Sequence, residues 1–263
     1  VAPEKTGLPW QKDKPPYVNL LRQYPRIVFF TGAGMSAESG VPTYRGEGGI
    51  WSEYRYQDYA CQEAFDRDPV AVWDFHDKRR AVAAGCHPHR GHTLLADLAR
   101  ARQADGLGHQ GGVTIVTQNI DGMHQRAGSE EVLELHGSLW RVRCQVCGTV
   151  DTNLDVPMAG HRHSCGAYLR PDIVWFGDAL NRDTISQAVD AISHCQLFVS
   201  IGTSAVVYPA ARLPMHAMTG GAATIEINPL STSVSQLYQK HLRGPASEML
   251  AQLLDVAEAS EAS

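Results

Sequence analysis

An α/β fold, built on a Rossmann-like parallel sheet with a smaller module inserted, is predicted by three features of this 263-residue chain. The first is an apolar run, Ile27 to Phe30, that ends in Thr31-Gly32-Ala33-Gly34 and continues as Met35-Ser36-Ala37-Glu38-Ser39, the pattern of a buried strand, a glycine-rich turn and the first turn of a helix. The second is the alternation of further β-branched runs with helical patterns, which argues for a parallel sheet covered on both faces. The third is a Cys- and His-rich stretch, residues 141 to 170, in which helical periodicity is lost.

Taken in order, residues 1 to 16 are polar and hold Pro3, Pro9, Pro15 and Pro16, so an extended arm is expected, followed by a short helix over Val18 to Gln23. The strand–turn–helix unit comes next. Its glycines would let the backbone approach a pyrophosphate, and the helix start would offer unpaired N–H donors. It is not a standard dinucleotide fingerprint: the third glycine falls at Ala37, and no ribose-binding acid follows about 20 residues on. Phe65, Val70, Val72, Trp73 and Phe75 recur near helical spacing, and Gly85-Cys86-His87-Pro88 breaks that helix. His92 to Ala101 reads as another helix. Val113 to Thr117, after the loop Gly106 to Gly112, is the next buried strand, and its end delivers Gln118-Asn119-Ile120-Asp121 to the edge where ligands collect in open α/β sheets. Val132 to Leu135 is a short strand before His136. Ile173 to Phe176, Leu197 to Ile201 and Thr224 to Ile227 read as strands, the last two ending in Gly202-Thr203-Ser204 and Asn228-Pro229. Ser186 to Ile192 and Ser247 to Ala257 read as helices.

Composition narrows the class. The chain is 43% hydrophobic and 19% charged with a net charge of −5, which gives no reason to expect affinity for nucleic acid or membrane. No apolar run approaches the roughly 20 residues of a membrane span. The six cysteines do not form a secreted disulfide pattern; Cys144, Cys147 and Cys165 cluster, while Cys61, Cys86 and Cys195 are scattered. A reducing compartment is expected: the cytoplasm, or the mitochondrial matrix if a targeting segment was removed ahead of Val1. Cys144-Gln-Val-Cys147 has the spacing of a zinc knuckle, and Cys165 supplies a third thiolate. The fourth ligand would be His161 or His163, with His161 fitting usual ligand spacing slightly better. A closed four-ligand site of this kind is structural.

The ordered motifs carry a resemblance. GAGMSAESGVPTYRG, TQNIDGMHQRAG, Leu135-His136-Gly137, the Cys144–Cys147 knuckle, LRPDIVWFG, Gly202-Thr203-Ser204 and Asn228-Pro229 are similar, in order, to the signatures of the sirtuins, the NAD-dependent protein deacylases, over roughly residues 20 to 250. The resemblance implies an α/β fold in which a Rossmann-like domain (1–50, 91–140 and 171–263) carries a helical insertion (51–90) and a zinc-binding ribbon (141–170). It implies one structural Zn2+ and NAD as co-substrate. Gly32, Ala33, Gly34 and Ala37 would seat the pyrophosphate. Tyr44, Ala246, Gly202, Thr203, Ser204 and Asn228 would complete the cofactor site, and Arg45 would contact phosphate or the neighbouring loop. Ile120 and Asp121 would receive the nicotinamide, Gln118 and Asn119 would orient ribose and water, and His136 would be the general base toward a ribose hydroxyl. An acyl-lysine peptide would add as a strand along Val174, Trp175, Phe176 and Gly177. The products would be free lysine, nicotinamide and O-acyl-ADP-ribose. The family usually has a second close Cys pair in the ribbon; this chain has only Cys165 there.

One branch of that family removes succinyl, malonyl or glutaryl groups and is marked by an Ala in the acyl pocket and a Tyr-x-x-Arg on the helical insertion. Ala60 and Arg79 match that pattern, whereas His76 stands where the Tyr is expected. His76 and Arg79 share a helix face at i,i+3, so Arg79 would bind a distal carboxylate and His76 would donate one hydrogen bond, adding charge when protonated. The expected partners are acyl-lysine proteins, and the expected state is a monomer. Mono-ADP-ribosyl transfer from the same NAD site is the alternative activity. A non-catalytic binding module would be expected to lose His136, Asn119 or Asp121, all of which this chain retains.

Overall fold

The computed structural model describes residues 18–44, 48–104, 112–204 and 206–259. The expected N-terminal arm, most of the loop before residue 112 and Arg45 lie outside them. Among the described residues nine strands run in chain order: β1 (Arg26–Thr31), β2 (Gly112–Thr117), β3 (Val132–Glu134), β4 (Gly137–Cys144), β5 (Val150–Thr152), β6 (Leu169–Ile173), β7 (Leu197–Ile201), β8 (Ala223–Ile227) and β9 (Lys240–Leu242). The α-helices are α1 (Val18–Gln23), α2 (Ile50–Glu53), α3 (Tyr56–Tyr59), α4 (Gln62–Arg67), α5 (Pro69–Gly85), α6 (Arg90–Ala104), α7 (Met123–Arg126), α8 (Arg182–Ser193), α9 (Pro214–Thr219) and α10 (Ala246–Ala259). Among the described residues no helix is long and apolar enough to cross a membrane.

Six strands form one parallel sheet in the order β3-β2-β1-β7-β8-β9, the doubly wound arrangement whose strand order reverses between β1 and β7. The central strands are largely apolar because both faces are covered, with Ser200 in β7 and Thr114 in β2 among the exceptions. Along β1 the side chains alternate: Ile27 and Phe29 join Leu95, Leu98, Leu250 and Leu254 on one face, while Val28 and Phe30 join Ile192, Phe198 and Ala217 on the other.

The smaller module is an antiparallel sheet, β5-β4-β6, packed against the helices between residues 50 and 85 through Phe65, Val72, Trp73, Leu139, Val142 and Leu169. The strand expected over 173–176 lies instead at Leu169–Ile173 and belongs to this antiparallel sheet. The chain turns where the strand was expected to continue. Asp178 N–H bonds to the Trp175 carbonyl at 3.0 Å, the Asp178 carboxylate accepts Trp175 N–H at 3.1 Å, and Gly177 has φ +93. β4 begins at Gly137 and β6 ends at Ile173, so the domain limits expected at 140/141 and 170/171 fall inside strands. The expected first helical turn after β1 is a 3-10 helix, Ala33–Ser39.

The two strands flanking the reversal meet backbone to backbone. Gly32 N–H donates to the Ile201 carbonyl at 2.9 Å and Gly34 N–H to the Gly202 carbonyl at 2.8 Å. A Cβ on Gly34 would sit 2.7 Å from Gly202 Cα, and one on Gly202 (φ +60) 2.4 Å from Met35 N. Gly34→Ala should therefore destabilise the protein by about 3 kcal/mol in urea unfolding, and Gly202→Ala by at least as much. Gly112→Ala, where a new methyl meets nothing within 4 Å, should stay within about 0.5 kcal/mol of the parent.

Candidate active site and metal centre

Polar groups converge outside the carboxyl ends of β1, β2, β7 and β8. Gln118 Nε2 donates to Thr203 Oγ1 at 3.1 Å, and Asn228 Nδ2 donates to the Thr203 carbonyl at 3.0 Å. Behind Asn228, the buried Glu226 carboxylate pairs with Arg243 at 2.7 Å, and Arg243 reaches the Asn228 and Leu230 carbonyls. Burial opposes ionisation of Glu226, but hydrogen bonds from Ser235, Arg243 and Thr232 hold its pKa below the ordinary value. The Glu38 carboxylate accepts Ser247 N–H at 2.9 Å and the Ser247 hydroxyl at 2.6 Å, fixing the start of α10 and Ala246 beside the turn.

The segment leaving β2 is fixed at each residue. Asn119 donates its side-chain amide to the Gly32 carbonyl at 3.0 Å and to Ser36 Oγ at 3.2 Å, while Thr117 Oγ1 takes its backbone N–H at 3.0 Å. Asp121 Oδ1 accepts Met123 N–H at 2.9 Å, and the Asp121 carbonyl accepts the Trp140 indole N–H at 2.7 Å. Burial raises the Asp121 pKa, against the opposing hydrogen bonds from Met123 and Ser36. His136 donates Nδ1–H to the Gln118 carbonyl at 3.0 Å, which leaves Nε2 with its lone pair. Burial lowers its pKa below the ordinary value, partly offset by the Gln118 bond, so the ring is neutral at pH 7 and able to accept a proton.

Asn119, Ile120 and Asp121 line a cavity of about 280 Å³ together with Ala33, Tyr44 and Arg79. These residues, separated by up to 88 positions, are thus brought to one space. His76 is not among the lining residues. The expectation that it donates toward an acyl group and carries charge is corrected here. Its ring is fully buried, lies 5.8 Å from Trp175 and donates Nε2–H to the Tyr59 carbonyl at 3.2 Å. Burial first, then the Arg79 charge, drives its pKa well below the ordinary value, so it is neutral. Ala60 is buried and its carbonyl accepts Phe176 N–H at 3.0 Å; Val174 N–H goes to the His136 carbonyl at 2.9 Å. Trp175 points inward under the Arg170 guanidinium, 3.8 Å from its ring, whereas Phe176 is exposed at the surface.

Sequence reasoning missed the buried polar layer beneath this site. Thr31 Oγ1 donates to Thr117 Oγ1 at 2.8 Å and accepts His124 Nε2–H at 3.0 Å. His92 faces Ser36 Oγ with Nε2 at 3.4 Å and takes His89 N–H at Nδ1. The only available sequence signal was the recurrence of His89, His92 and His124 around apolar positions. Burial pushes the His92 pKa down to about 2 and that of His124 to about 4.

The candidate metal-binding set closes on one of the two candidate histidines. Cys144, Cys147, Cys165 and His163 place their donor atoms within 4.8 Å of one another, three thiols and an imidazole that suit a tetrahedral zinc ion. A backbone N–H from Cys147 helps to bring the Cys144 thiol down to about 7. His161, which spacing favoured, is turned away. It bonds Asp77 at 2.8 Å and stacks on Trp73 at 4.4 Å. A tight turn, Gly166 N–H to the His163 carbonyl at 2.8 Å, brings residue 163 rather than 161 beside Cys165.

Comparison with known proteins agrees with this arrangement. The family model described as Sir2 family matches residues 32–209. The NAD-dependent protein deacylase of Aquifex aeolicus is 40% identical over 232 residues, covering 87% of this chain and 94% of that protein. The mitochondrial NAD-dependent protein deacylase sirtuin-5 of Danio rerio is 39% identical, covering 87% and 82%. A Sir2 homologue solved with ADP-ribose superposes with a TM-score of 0.84 at 36% identity, covering 92% of this chain and 95% of that one.

Two outcomes are expected. His163→Ala should lose bound zinc, measured by elemental analysis of the purified protein, while His161→Ala should retain it. Thermal stability should also fall as pH is lowered. The unfolded chain protonates His92 and His124 below about pH 6.5 and the folded chain does not, so stability rises with pH across this window. At pH 5 each should cost roughly 2 kcal/mol relative to pH 7, and His124→Gln should reduce the pH slope.

Proposed function

The chain belongs to the Sir2 family, and from that membership and the crevice geometry we propose that it is an NAD-dependent protein-lysine deacylase. It would release free lysine, nicotinamide and O-acyl-ADP-ribose. The observation that carries the reading is the His136 ring, neutral and held by Nδ1 at the Gln118 carbonyl, beside the Asn119–Asp121 segment at the sheet's reversal point.

NAD bound in this crevice supplies an activated anomeric carbon once nicotinamide departs. The chain's own residues do the rest. The turn Gly32–Ala37 would seat the pyrophosphate, and Thr203, Ser204, Asn228 and Ala246 the adenosine half. The Asp121 carboxyl would fix the nicotinamide amide, and Gln118 and Asn119 would hold the ribose and a water. His136 Nε2 would take a proton from a ribose hydroxyl. The acyl-lysine peptide would run along Val174 to Gly177, where the backbone turn leaves few free N–H groups, since those of Val174, Trp175 and Phe176 are already bound. Zn2+ held by Cys144, Cys147, His163 and Cys165 would act structurally. The ribbon it closes anchors α5: Trp73 Nε1–H bonds the Leu169 carbonyl at 2.7 Å, and buried Arg80 bonds the carbonyls of Leu139, Asn153 and Asp155. Arg79, on the same helix and lining an otherwise largely apolar cavity, supports acceptance of acidic acyl groups beside acetyl.

Turnover of an acetyl- or succinyl-lysine peptide with NAD should yield O-acyl-ADP-ribose by mass spectrometry. His136→Ala should lower kcat/KM by about 100-fold or more. The wild-type kcat/KM should be flat from pH 7 to 8 and fall on the acid side with an apparent pKa below about 6.5, where His136 becomes protonated. Transfer of ADP-ribose to protein with no free lysine formed would replace this reading with ADP-ribosyl transfer.

A further inference from the structure

The acid-accepting reading of the cavity rests on Arg79, and Arg79 alone gives a carboxylate only one partner group. In the sequence pattern the second donor fell to His76, which is buried elsewhere. A different residue stands beside the guanidinium. Arg79 Nη2 donates to Tyr44 Oη at 2.5 Å, and the guanidinium carbon lies 4.8 Å from the Tyr44 ring centroid and 5.7 Å from that of Phe75. Both side chains line the cavity that holds Asn119, Ile120 and Asp121.

We propose that Tyr44 is a specificity-determining residue, its phenol and the Arg79 guanidinium together forming a two-donor receptor for the terminal carboxylate of a succinyl-, malonyl- or glutaryl-lysine. The inference rests on the deacylase reading above and extends it to a residue expected only to contact the cofactor. The hydrogen-bond chemistry is complementary. A phenol oxygen that accepts from a guanidinium keeps its own proton to donate, so a carboxylate can take one N–H from Arg79 and the O–H from Tyr44. The aromatic faces of Tyr44 and Phe75 hold the guanidinium in place, which lowers the ordering cost of binding. No carboxylate among the described residues contacts the guanidinium, although Asp121 in the same lining acts on it electrostatically. Among the described residues Arg79 forms no ion pair, whereas its neighbour Lys78 is paired with Asp74 at 2.7 Å. Asp121, the buried acid in the same lining, spends Oδ1 on Met123 N–H. Val41, Pro42, Phe75, Val82 and Leu139 add apolar wall to the same lining, which also includes Glu53 and Lys78, and apolar surroundings strengthen a charged hydrogen bond made there.

The test is a ratio. On one peptide sequence with saturating NAD, kcat/KM is measured for succinyl-, butyryl- and acetyl-lysine with the wild-type enzyme, Tyr44→Phe and Arg79→Lys. Any effect of Tyr44 on NAD use is common to the three substrates and cancels. The succinyl-to-butyryl ratio compares chains of equal length with and without the carboxylate. It should fall about tenfold or more in Tyr44→Phe and further in Arg79→Lys, while the butyryl-to-acetyl ratio stays within about twofold. The double variant should lose less than the product of the single losses, because the two donors act on one group. A succinyl-to-butyryl ratio unchanged by Tyr44→Phe overturns the proposal and leaves Tyr44 to the cofactor alone. A wild-type enzyme that removes acetyl but not succinyl overturns it together with the acid-accepting reading and leaves the deacylase intact. Absence of turnover on every peptide removes the deacylase reading itself, and the proposal falls with it.

Discussion

The contact between the turn after β1 and the end of β7 is the constraint on which the site depends. Gly32 and Gly34 reach the Ile201 and Gly202 carbonyls through their own N–H groups, and neither Gly34 nor Gly202 has room for a methyl. A glycine-rich turn at this point is usually credited to a ligand's need for close approach. Here the glycines are also required for the two halves of the doubly wound sheet to meet. Once they meet, the Gly32 carbonyl becomes the anchor for Asn119, and Thr203 becomes the partner of Gln118. The crevice is therefore a consequence of backbone packing, and its polar residues are positioned by what that packing leaves exposed.

The helix α5 links the metal ribbon to the cavity because its two faces do different work. Trp73, Asp77 and Arg80 recur at three- and four-residue spacing and face the ribbon, meeting Leu169, His161, Asn153 and Asp155. Phe75 and Arg79 face the cavity. Arg80 is almost fully buried, and its two terminal nitrogens bond carbonyl oxygens from two segments of the ribbon side, while Nε lies 4.0 Å from the Asp77 carboxylate without a hydrogen bond; this pairing offsets most of the cost of burying the group. The position of Arg79 is thereby tied to the integrity of a module whose ligands lie more than 60 residues further along the chain.

Burial also sets the protonation states. His92, His124 and His76 are buried beside other imidazoles or, for His76, beside Arg79 and Arg170, and burial first with these neighbours second keeps each neutral and serving through hydrogen bonds. His136 is only part-buried and its Nδ1 meets the Gln118 carbonyl, a setting that suits the proton acceptor proposed for it better than those of the other three imidazoles do.

The sequence by itself determined the sheet strands β1, β2, β7 and β8, the reversal-point turn, the place of the Gln118–Asp121 segment and His136 at strand ends, and the grouping of Cys144, Cys147 and Cys165. Each of these is written in local order: an apolar run next to its turn, a polar cluster at a strand end, a pair of cysteines at fixed spacing. What tertiary structure decided were choices between near-equivalent residues. His163 and His161 lie two positions apart, and the turn at Gly166 together with Asp77 and Trp73 separates the imidazole that joins the thiols from the one that does not. His76 and Arg79 share a helical pattern, but Trp175 and the Tyr59 carbonyl claim the first, and Tyr44, 35 residues earlier, meets the second. Periodicity says which side chains share a face; it does not say what will stand opposite them, because that partner comes from a distant part of the chain and is chosen by packing.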